Sequence, residues 1–244
     1  MSKNNIKNIK LACNKKENDY NSFLIGILRP FSYYPTKIFV GLGFSPNGIT
    51  YLNYVVVILA MYLFLTINEG LIYFAVLLLF LWQLLDIIDG NIARYQKKTS
   101  KKGAFIDHML GIILLSILYP ILGFRCLNDE VTLFILDEKS ILILSFLTSI
   151  LAILSRLTMF YVEDIFSKNI LKRFKYDNLG KLEKNFFTNK ILIIARNIEM
   201  LGGLQLFILL FFSLILKIEI FIFLYFIINF FIFFLIYLKP ILKN

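Results

Sequence analysis

Three carboxylates define the most informative stretch of the sequence, which runs from Asp86 to Gly111. Asp86 and Asp89 stand three residues apart and therefore share one face of a helix. A short turn returns Asp107 to the same level. Carboxylates that converge repel one another unless a cation lies among them, and an all-oxygen ligand set suits Mg²⁺ or Mn²⁺. Such a metal site suits a substrate that contains phosphate.

The residues that follow Asp89 favour a groove beside it. Gly90 has no side chain, so a ligand can approach the helix backbone, and Ala93 keeps the next turn small. Arg94 adds a guanidinium, whose planar fork pairs well with phosphate. The competing interpretation is a solvated helix end at which Gly90 serves only in packing.

Membrane helices are the elements that must position these residues. Of the 244 residues, 59% are apolar and 17% are charged, whereas a soluble domain has about 45–50% apolar and about 25% charged residues. A water-soluble globule is therefore excluded. The length suits an all-α bundle of six membrane helices of about 20 residues each. Hydropathy predicts spans at 48–67, 71–93, 104–124, 140–162, 190–216 and 219–238.

The chain before the first span divides into two segments. Residues 1–22 are polar and lack the apolar region and cleavage site of a signal peptide, which predicts a cytosolic tail. Residues 23–44 mix apolar side chains with Arg29 and Pro30, a pattern typical of a helix that lies in the headgroup layer. Residues 45–244 form the predicted six-helix membrane domain.

Charge sets the predicted topology. The net charge of +10 comes from 26 Lys and Arg against 16 Asp and Glu. Six spans place both termini on one side, and the opposite loops hold only Arg125, Lys139 and Lys217 as cations. The positive-inside rule then predicts cytosolic termini, an inner or cytoplasmic-type membrane, and carboxylates at its cytosolic face. The basic excess indicates contact with anionic membrane lipids and not with nucleic acid.

The two cysteines do not indicate a function. Cys13 lies in the predicted cytosolic tail and Cys126 in a predicted outer loop, so they cannot pair within one chain. Neither has the spacing of a metal ligand. Cysteine chemistry is therefore not expected to take part in the function.

The carboxylate spacing resembles the signature of the CDP-alcohol phosphatidyltransferase family, D-x-x-D-G-x-x-A-R, eight residues, G-x-x-x-D-x-x-x-D. The residues that match this pattern are Asp86, Asp89, Gly90, Ala93, Arg94, Gly103 and Asp107. Upstream, Pro46, Asn47 and Thr50 resemble the family's P-N-x-x-T element, and this segment suits the entrance of the first membrane helix. The six-helix topology with both termini inside matches the family as well.

The resemblance implies transfer of a substituted phosphoryl group, commonly phosphatidyl from CDP-diacylglycerol, to an alcohol, with release of CMP, in phospholipid biosynthesis. Asp86, Asp89 and Asp107 would hold Mg²⁺ or Mn²⁺ against the diphosphate. The residues implied to line the CDP-donor pocket are Asn47, Thr50, Gly90, Ala93, Arg94, Ser100 and Gly103. A homodimer is also implied. The donor lipid and the acceptor, a small alcohol or a phosphorylated polyol, stay open.

Gly111 departs from the family pattern, which has a fourth Asp at this position as metal ligand and general base. A glycine can neither bind a metal nor accept a proton. His108, the only histidine, lies three residues earlier and is a candidate base, since an unperturbed imidazole has a pKa of about 6.5. Otherwise the acceptor is activated in another way, the acceptor chemistry differs, or the protein binds without turnover.

Arginines in the later spans are candidates for binding the acceptor. Arg156 and Arg196 lie toward the cytosolic half of their predicted helices, and arginine suits a planar phosphate clamp. Arg29 and Lys37 on the interfacial segment are further candidates. The plainer alternatives are an ion pair between Arg196 and Glu199 and extension of Arg156 to the lipid headgroups.

Two other classes of function compete with a transferase. The first is a degenerate family member that binds CDP-lipid or acts as a scaffold for membrane enzymes. The second is a small transporter or channel, for which charges near the bilayer midplane or broken helices in paired halves are expected. The carboxylates of this sequence lie instead at one face.

Overall fold

The computed structural model describes residues 6–13, 23–66, 68–99, 101–165 and 203–241. Within these ranges, the side chains of 6–8, 101–102, 104, 107–108, 158–165 and 235–241 are not described. The described residues form helices joined by short connections, and their only β feature is a bridge between Leu133 and Leu136. The helices are α1 (Ile6–Cys13), α2 (Phe23–Gly41), α3 (Pro46–Leu65), α4 (Glu69–Tyr95), α5 (Lys101–Asn128), α6 (Glu138–Ile165), α7 (Gln205–Leu214) and α8 (Ile218–Ile241). The all-α prediction is confirmed for this part of the chain.

The chain forms two compact units. The first contains Met1–Leu114 and Met200–Ile218, which include α1 to α4, the first half of α5, and α7. The second contains Leu115–Glu199 and Glu219–Asn244, which include the rest of α5, α6 and nearly all of α8. The whole D-x-x-D-G-x-x-A-R element therefore lies in the first unit.

Four helical segments are long and apolar enough to cross a membrane among the described residues. They are Pro46–Leu65, Glu69–Tyr95, Met109–Asn128 and Glu138–Leu157, which coincide with the first four predicted spans. The predicted span 219–238 falls on α8, and the predicted span 190–216 lies partly outside the described residues. The count of six spans stays a prediction.

The α3–α4 hairpin positions the signature residues. Ser45 caps α3 by accepting a hydrogen bond from the backbone N–H of Gly48 at 3.1 Å, and Pro46 occupies the first turn, where its missing N–H has no cost. Asn68 caps α4 in the same way by accepting from Gly70 at 2.9 Å. Because the connection between the helices is short, they run antiparallel and pack along their lengths.

Helix α2 is amphipathic and runs without a break through Pro30 and Pro35. One face packs on α4 and buries Leu24, Arg29, Ser32, Tyr33 and Thr36. The other face exposes Phe23, Ile27, Phe31, Tyr34 and Ile38 at helical spacing. An exposed apolar face of this kind is what a helix in the headgroup layer requires.

Helix α1 lies within the segment that the sequence predicted only as a polar tail. It packs against α2 and α4, and Ile9 and Cys13 are fully buried beside Tyr33 and Tyr95. The ammonium group of Lys10 lies 5.6 Å from the centre of the Tyr33 ring, a distance typical of a cation–π contact. The apolar side chains of α1 are too few to stand out from the lysines around them, and only packing shows their role.

The prediction that Cys126 lies in an outer loop is wrong. Helix α5 continues to Asn128, and Cys126 is buried in its last turns. The adjacent Arg125 forms an ion pair with Asp129, with 3.1 Å between Nε and Oδ2. This i,i+4 pair stabilises the end of a helix that hydropathy alone ended four residues earlier, at residue 124.

In the second unit, α5 packs closely against α6. The hydroxyl of Ser149 donates to the carbonyl of Ser116 at 3.0 Å. Gly123 faces Ser145 so closely that a Cβ atom at position 123 would lie 2.7 Å from the Cβ of Ser145. Tyr119 of α5 stacks on Phe221 of α8, with 6.1 Å between ring centroids.

Candidate active site

A hydrogen bond between Thr50 and Asp89 joins the two motifs of the sequence. Thr50 lies one turn into α3 and Asp89 near the end of α4, and the Thr50 hydroxyl is 3.1 Å from Oδ2 of Asp89. The same hydroxyl lies 3.2 Å from the Pro46 carbonyl. Asp89 is buried, with 8% of its surface exposed. The P-N-x-x-T and D-x-x-D elements therefore form one site, although 39 residues separate these two side chains.

The second carboxylate, that of Asp86, lies about one turn before Asp89 in α4. Asp86 is half-buried, and its Oδ2 accepts a hydrogen bond from Nε2 of Gln83 at 3.4 Å, at the long end of the usual range. Asp86 and Asp89 are i,i+3 neighbours within one uninterrupted helix, as predicted. Their shared face is the oxygen-rich part of the site.

Arg94 folds back over Gly90. A Cβ atom built on Gly90 would lie 3.3 Å from Nη1 of Arg94, which is tighter than ordinary van der Waals contact. The space above this glycine, which the sequence assigned to a ligand, thus contains the guanidinium of Arg94. The Nε atom of Arg94 is buried and has no hydrogen-bond partner in the protein, so one donor is left for a further acceptor.

Asn91 positions Arg94 and connects α4 to α2. Its Oδ1 accepts a hydrogen bond from Nη2 of Arg94 at 2.7 Å. Its Nδ2 donates to the hydroxyls of Ser32 at 2.9 Å and Thr36 at 3.3 Å. Both hydroxyls donate in turn to backbone carbonyls of α2. The amide of the fully buried Asn91 is therefore satisfied on both sides, and the arginine is held by a network that spans two helices.

Two further groups of the first unit adjoin Arg94. The thiol of Cys13 donates to the backbone carbonyl of Asn91 at 3.4 Å and also hydrogen bonds with Arg94. Burial raises the pKa of the Cys13 thiol above its usual value, and the neighbouring Arg94 and Arg29 guanidiniums oppose that shift. Arg29 repels Arg94, whereas Asp89 attracts it. The end of α4 is thus a place where buried positive charge meets a buried carboxylate.

The described side chains fit a hard divalent cation. Asp86, Asp89 and Thr50 offer oxygen atoms only, the donor type that Mg²⁺ and Mn²⁺ prefer. No group of three or more His, Cys, Asp or Glu side chains converges among those that the structure describes. The backbone of Asp107 lies in the early turns of α5, but its side chain is outside the described set, as is that of His108.

The remaining predicted site residues are placed as follows. Asn47 is exposed at the start of α3, Ala93 is half-buried in α4, and Gly103 and the buried Gly111 lie in α5. Arg156 belongs to α6 in the second unit, and Lys37 is exposed on α2. Ser100 and Arg196 lie outside the described residues.

Several site residues were missed by the sequence analysis. Asn91, Ser32 and Thr36 connect two helices through side-chain hydrogen bonds, and Cys13 reaches the site from α1. For Asn91 a signal existed, because a polar amide within an apolar span needs a partner. The partners themselves lie more than fifty residues away in the chain, and no sequence pattern identifies them.

A model of the CDP-alcohol phosphatidyltransferase family matches residues 44–238, most of the chain and all of the signature. The protein belongs to this family. Together with the four apolar helices, family membership makes it an integral membrane protein.

One curated relative is the archaetidylinositol phosphate synthase of Pyrococcus horikoshii. The two proteins are 37% identical over 71 residues, which cover 29% of this chain and 36% of the relative. The match thus spans little more than a third of the relative's length.

Proposed function

We propose that the protein transfers a substituted phosphoryl group from a CDP-activated lipid, such as CDP-diacylglycerol, to the hydroxyl of an alcohol and releases CMP. The observation that carries this proposal is the hydrogen bond between Thr50 and Asp89. It unites the two family elements at one end of the α3–α4 hairpin, next to Arg94. Family membership supports the same reaction class.

The site chemistry is consistent with a cation-assisted reaction. Asp86 and Asp89, with Asp107 by family resemblance, would hold Mg²⁺ or Mn²⁺, and the metal when bound would neutralise charge on the diphosphate. Arg94 is half-buried and its buried Nε has no hydrogen-bond partner, which suits a phosphate oxygen. Thr50 and Asn91 hold Asp89 and Arg94 in their positions.

The acceptor is proposed to be a phosphorylated polyol. The matched relative is named as an archaetidylinositol phosphate synthase, so inositol phosphate is the first acceptor to test. Arg156 and Arg196 remain the proposed acceptor-binding residues, since a phosphate-bearing acceptor needs cationic partners. We place the site at the cytosolic face because the connection after α4 is lysine-rich.

A CMP-release assay on the purified protein tests the proposal. The reaction contains CDP-diacylglycerol, Mg²⁺ or Mn²⁺, and a panel of alcohols that includes inositol phosphate, glycerol phosphate and serine. We expect metal-dependent CMP release with one acceptor class. Asp89→Asn should lower kcat at least about a hundredfold, because several kcal/mol of transition-state stabilisation depend on the cation.

Asp137→Asn is the matched control. Asp137 is an exposed carboxylate that caps α6 by accepting from the backbone N–H of Ser140 at 2.9 Å, and asparagine caps equally well. This variant should retain full activity. Loss of activity in both variants, or equal activity in both, would contradict the assignment of Asp89.

Gly111 favours a second candidate function, that of a degenerate member that binds CDP-lipid without turnover. The position of the family's fourth Asp is a buried glycine in α5. If the purified protein binds CDP-diacylglycerol in a metal-dependent way but releases no CMP with any acceptor, this second function replaces the first.

A further inference from the structure

Asn53 is an unpaired polar side chain buried one turn below Thr50 in α3. It is 0% exposed, and neither its Oδ1 nor its Nδ2 has a hydrogen-bond partner. A buried amide that lacks partners costs a few kcal/mol, and native proteins pair nearly all such groups. The amide of Asn53 is therefore a candidate for a hydrogen bond that forms in another state of the molecule.

Helix register places Asn53 at the level of Asp86. The α3–α4 hairpin is antiparallel, and the Thr50–Asp89 hydrogen bond fixes which residues stand opposite each other. Three residues further along α3 correspond to three residues back along α4, since both helices rise about 1.5 Å per residue. Asn53 follows Thr50 on the same helical face, as Asp86 precedes Asp89. The buried side of α3 includes Asn53.

Asp86 is a half-buried carboxylate of α4. Its Oδ2 accepts a hydrogen bond from Nε2 of Gln83 that is 3.4 Å long. A carboxylate that binds a cation is normally oriented by a second hydrogen-bonding group, and loss of that group typically lowers metal affinity about 10–100-fold. The Nδ2 group of Asn53 is a free donor at the right level for this role.

We propose that Asn53 is a positioning residue for Asp86, and that its amide N–H donates to the Asp86 carboxylate when a divalent cation binds there. The inference rests on the proposed function, because it assumes that Asp86 is a metal ligand. This role for Asn53 extends the site by one turn along α3, from Thr50 to Asn53. The Nδ2 group of Asn53, which has no hydrogen-bond partner in the structure, would then have the Asp86 carboxylate as its acceptor.

Asn229 offers a matched control. This residue of α8 is also 0% exposed, and its Oδ1 and Nδ2 also lack partners, but α8 carries none of the signature residues. Replacement of either asparagine by leucine removes an unpaired amide at similar volume. Both variants should therefore unfold at the same or a higher temperature than the wild type in the absence of metal.

The experiment measures Mn²⁺ binding to the purified full-length protein without substrates, from the electron paramagnetic resonance signal of free Mn²⁺. We expect Asn53→Leu to raise the Kd for Mn²⁺ about 10–100-fold, as for loss of a group that orients a ligand, whereas Asn229→Leu leaves it unchanged. Asn53→Gln keeps an amide group and should therefore raise the Kd for Mn²⁺ less than Asn53→Leu does. Asn53→Ala replaces the leucine variant if that variant does not fold.

Three outcomes would overturn the inference. If the Asn53 variants bind Mn²⁺ with wild-type affinity and Asp86→Asn does not bind it, the metal site is supported but Asn53 has no role in it. If Asn229→Leu raises the Kd for Mn²⁺ as much as Asn53→Leu does, the effect is a general result of removing a buried amide. Wild-type affinity in Asp86→Asn means that Asp86 is not a metal ligand, so the metal part of the proposed function fails together with this inference.

Discussion

At the scale of single residues, Gly111 is the departure from the family signature that bears on whether the proposed reaction can be completed. The neighbouring motif positions are in place, with Asp89 bonded to Thr50 and Arg94 bonded to Asn91. Gly111 lies nearly three turns inside α5, is buried, and has no side chain that could act on an acceptor. For the proposed reaction, more functional groups are therefore in place for the CDP donor than for the acceptor.

Gly111→Asp is expected to raise kcat several-fold if only a base is missing. General-base catalysis typically contributes about 10²–10⁴-fold, and an aspartate that is not ideally oriented supplies part of that. The measurement is CMP release at saturating CDP-diacylglycerol. Gly111→Asn has the same size without a base and is the control.

Equal rates for the Asp and Asn variants would contradict the idea that this position lacks only a base. His108→Ala addresses the alternative. If His108 is the base in the wild type, its loss should abolish CMP release and Gly111→Asp should restore it. Full activity of His108→Ala removes His108 from the mechanism.

At the scale of elements, α2 and α4 together hold Arg94, the arginine proposed to bind phosphate. Asn91 accepts from Arg94 and donates to Ser32 and Thr36, so the orientation of the guanidinium depends on how the two helices pack. Helix α1 adds Cys13 against the same turn of α4. A helix of the predicted tail thereby becomes part of the surroundings of the site.

Asn91→Ala should raise the KM for the CDP donor about tenfold or more. The variant removes the acceptor for Arg94 and leaves two buried hydroxyls without their donor, a loss of about 1–3 kcal/mol in the free energy of unfolding. Asn91→Asp keeps the acceptor for Arg94 and should retain a KM nearer to that of the wild type. If the Ala and Asp variants show the same KM and differ only in stability, the role of Asn91 is structural and does not act through Arg94.

Packing of α5 on α6 predicts a contrast between two glycines. Gly123→Ala places a methyl group against Ser145 and should destabilise the protein by about 1–3 kcal/mol. Gly26→Ala meets no atom within 4 Å in α2 and should stabilise it by about 0.5–1 kcal/mol, because alanine favours the helix. Thermal unfolding in detergent checks both variants, and a lower Tm for Gly26→Ala than for Gly123→Ala would refute the packing argument.

At the scale of the whole molecule, the charges of the connections predict the arrangement in the membrane. The connection after α4 contains exposed lysines, and the connection after α5 contains Asp129, Glu130 and Asp137. The positive-inside rule predicts that the first connection lies in the cytosol and the second on the opposite side. Both connections are short and contain exposed residues that can be replaced by cysteine and labelled.

Cysteine labelling in intact cells checks the topology, in a background that combines Cys13→Ser and Cys126→Ser. An impermeant maleimide should label Ile135→Cys, at a position 100% exposed between α5 and α6. It should label Lys98→Cys, at an exposed position between α4 and α5, only after the cells are opened. The reverse pattern would place the site on the outer face, and labelling of both in intact cells would contradict two-sided insertion of α5.

Features that depend only on neighbouring residues could be predicted from the sequence. Hydropathy located the first four spans, because about 20 apolar residues suffice to cross a bilayer whatever they pack against. The i,i+3 spacing of Asp86 and Asp89 placed both on one helical face, because the helical repeat is fixed. Pro46 marked the start of α3 for a similarly local reason.

Contacts between residues that are distant in the chain could not be predicted in this way and are seen in the folded protein. The contacts of Thr50 with Asp89 and of Asn91 with Ser32 depend on the register between helices, which arises from side-chain packing along their whole lengths. The packing of Cys13 beside Arg94 and the burial of Asn53 without partners depend on it in the same way. The sequence supplied the chemical groups of the site, and the packing of α1 to α4 determined which of them act together.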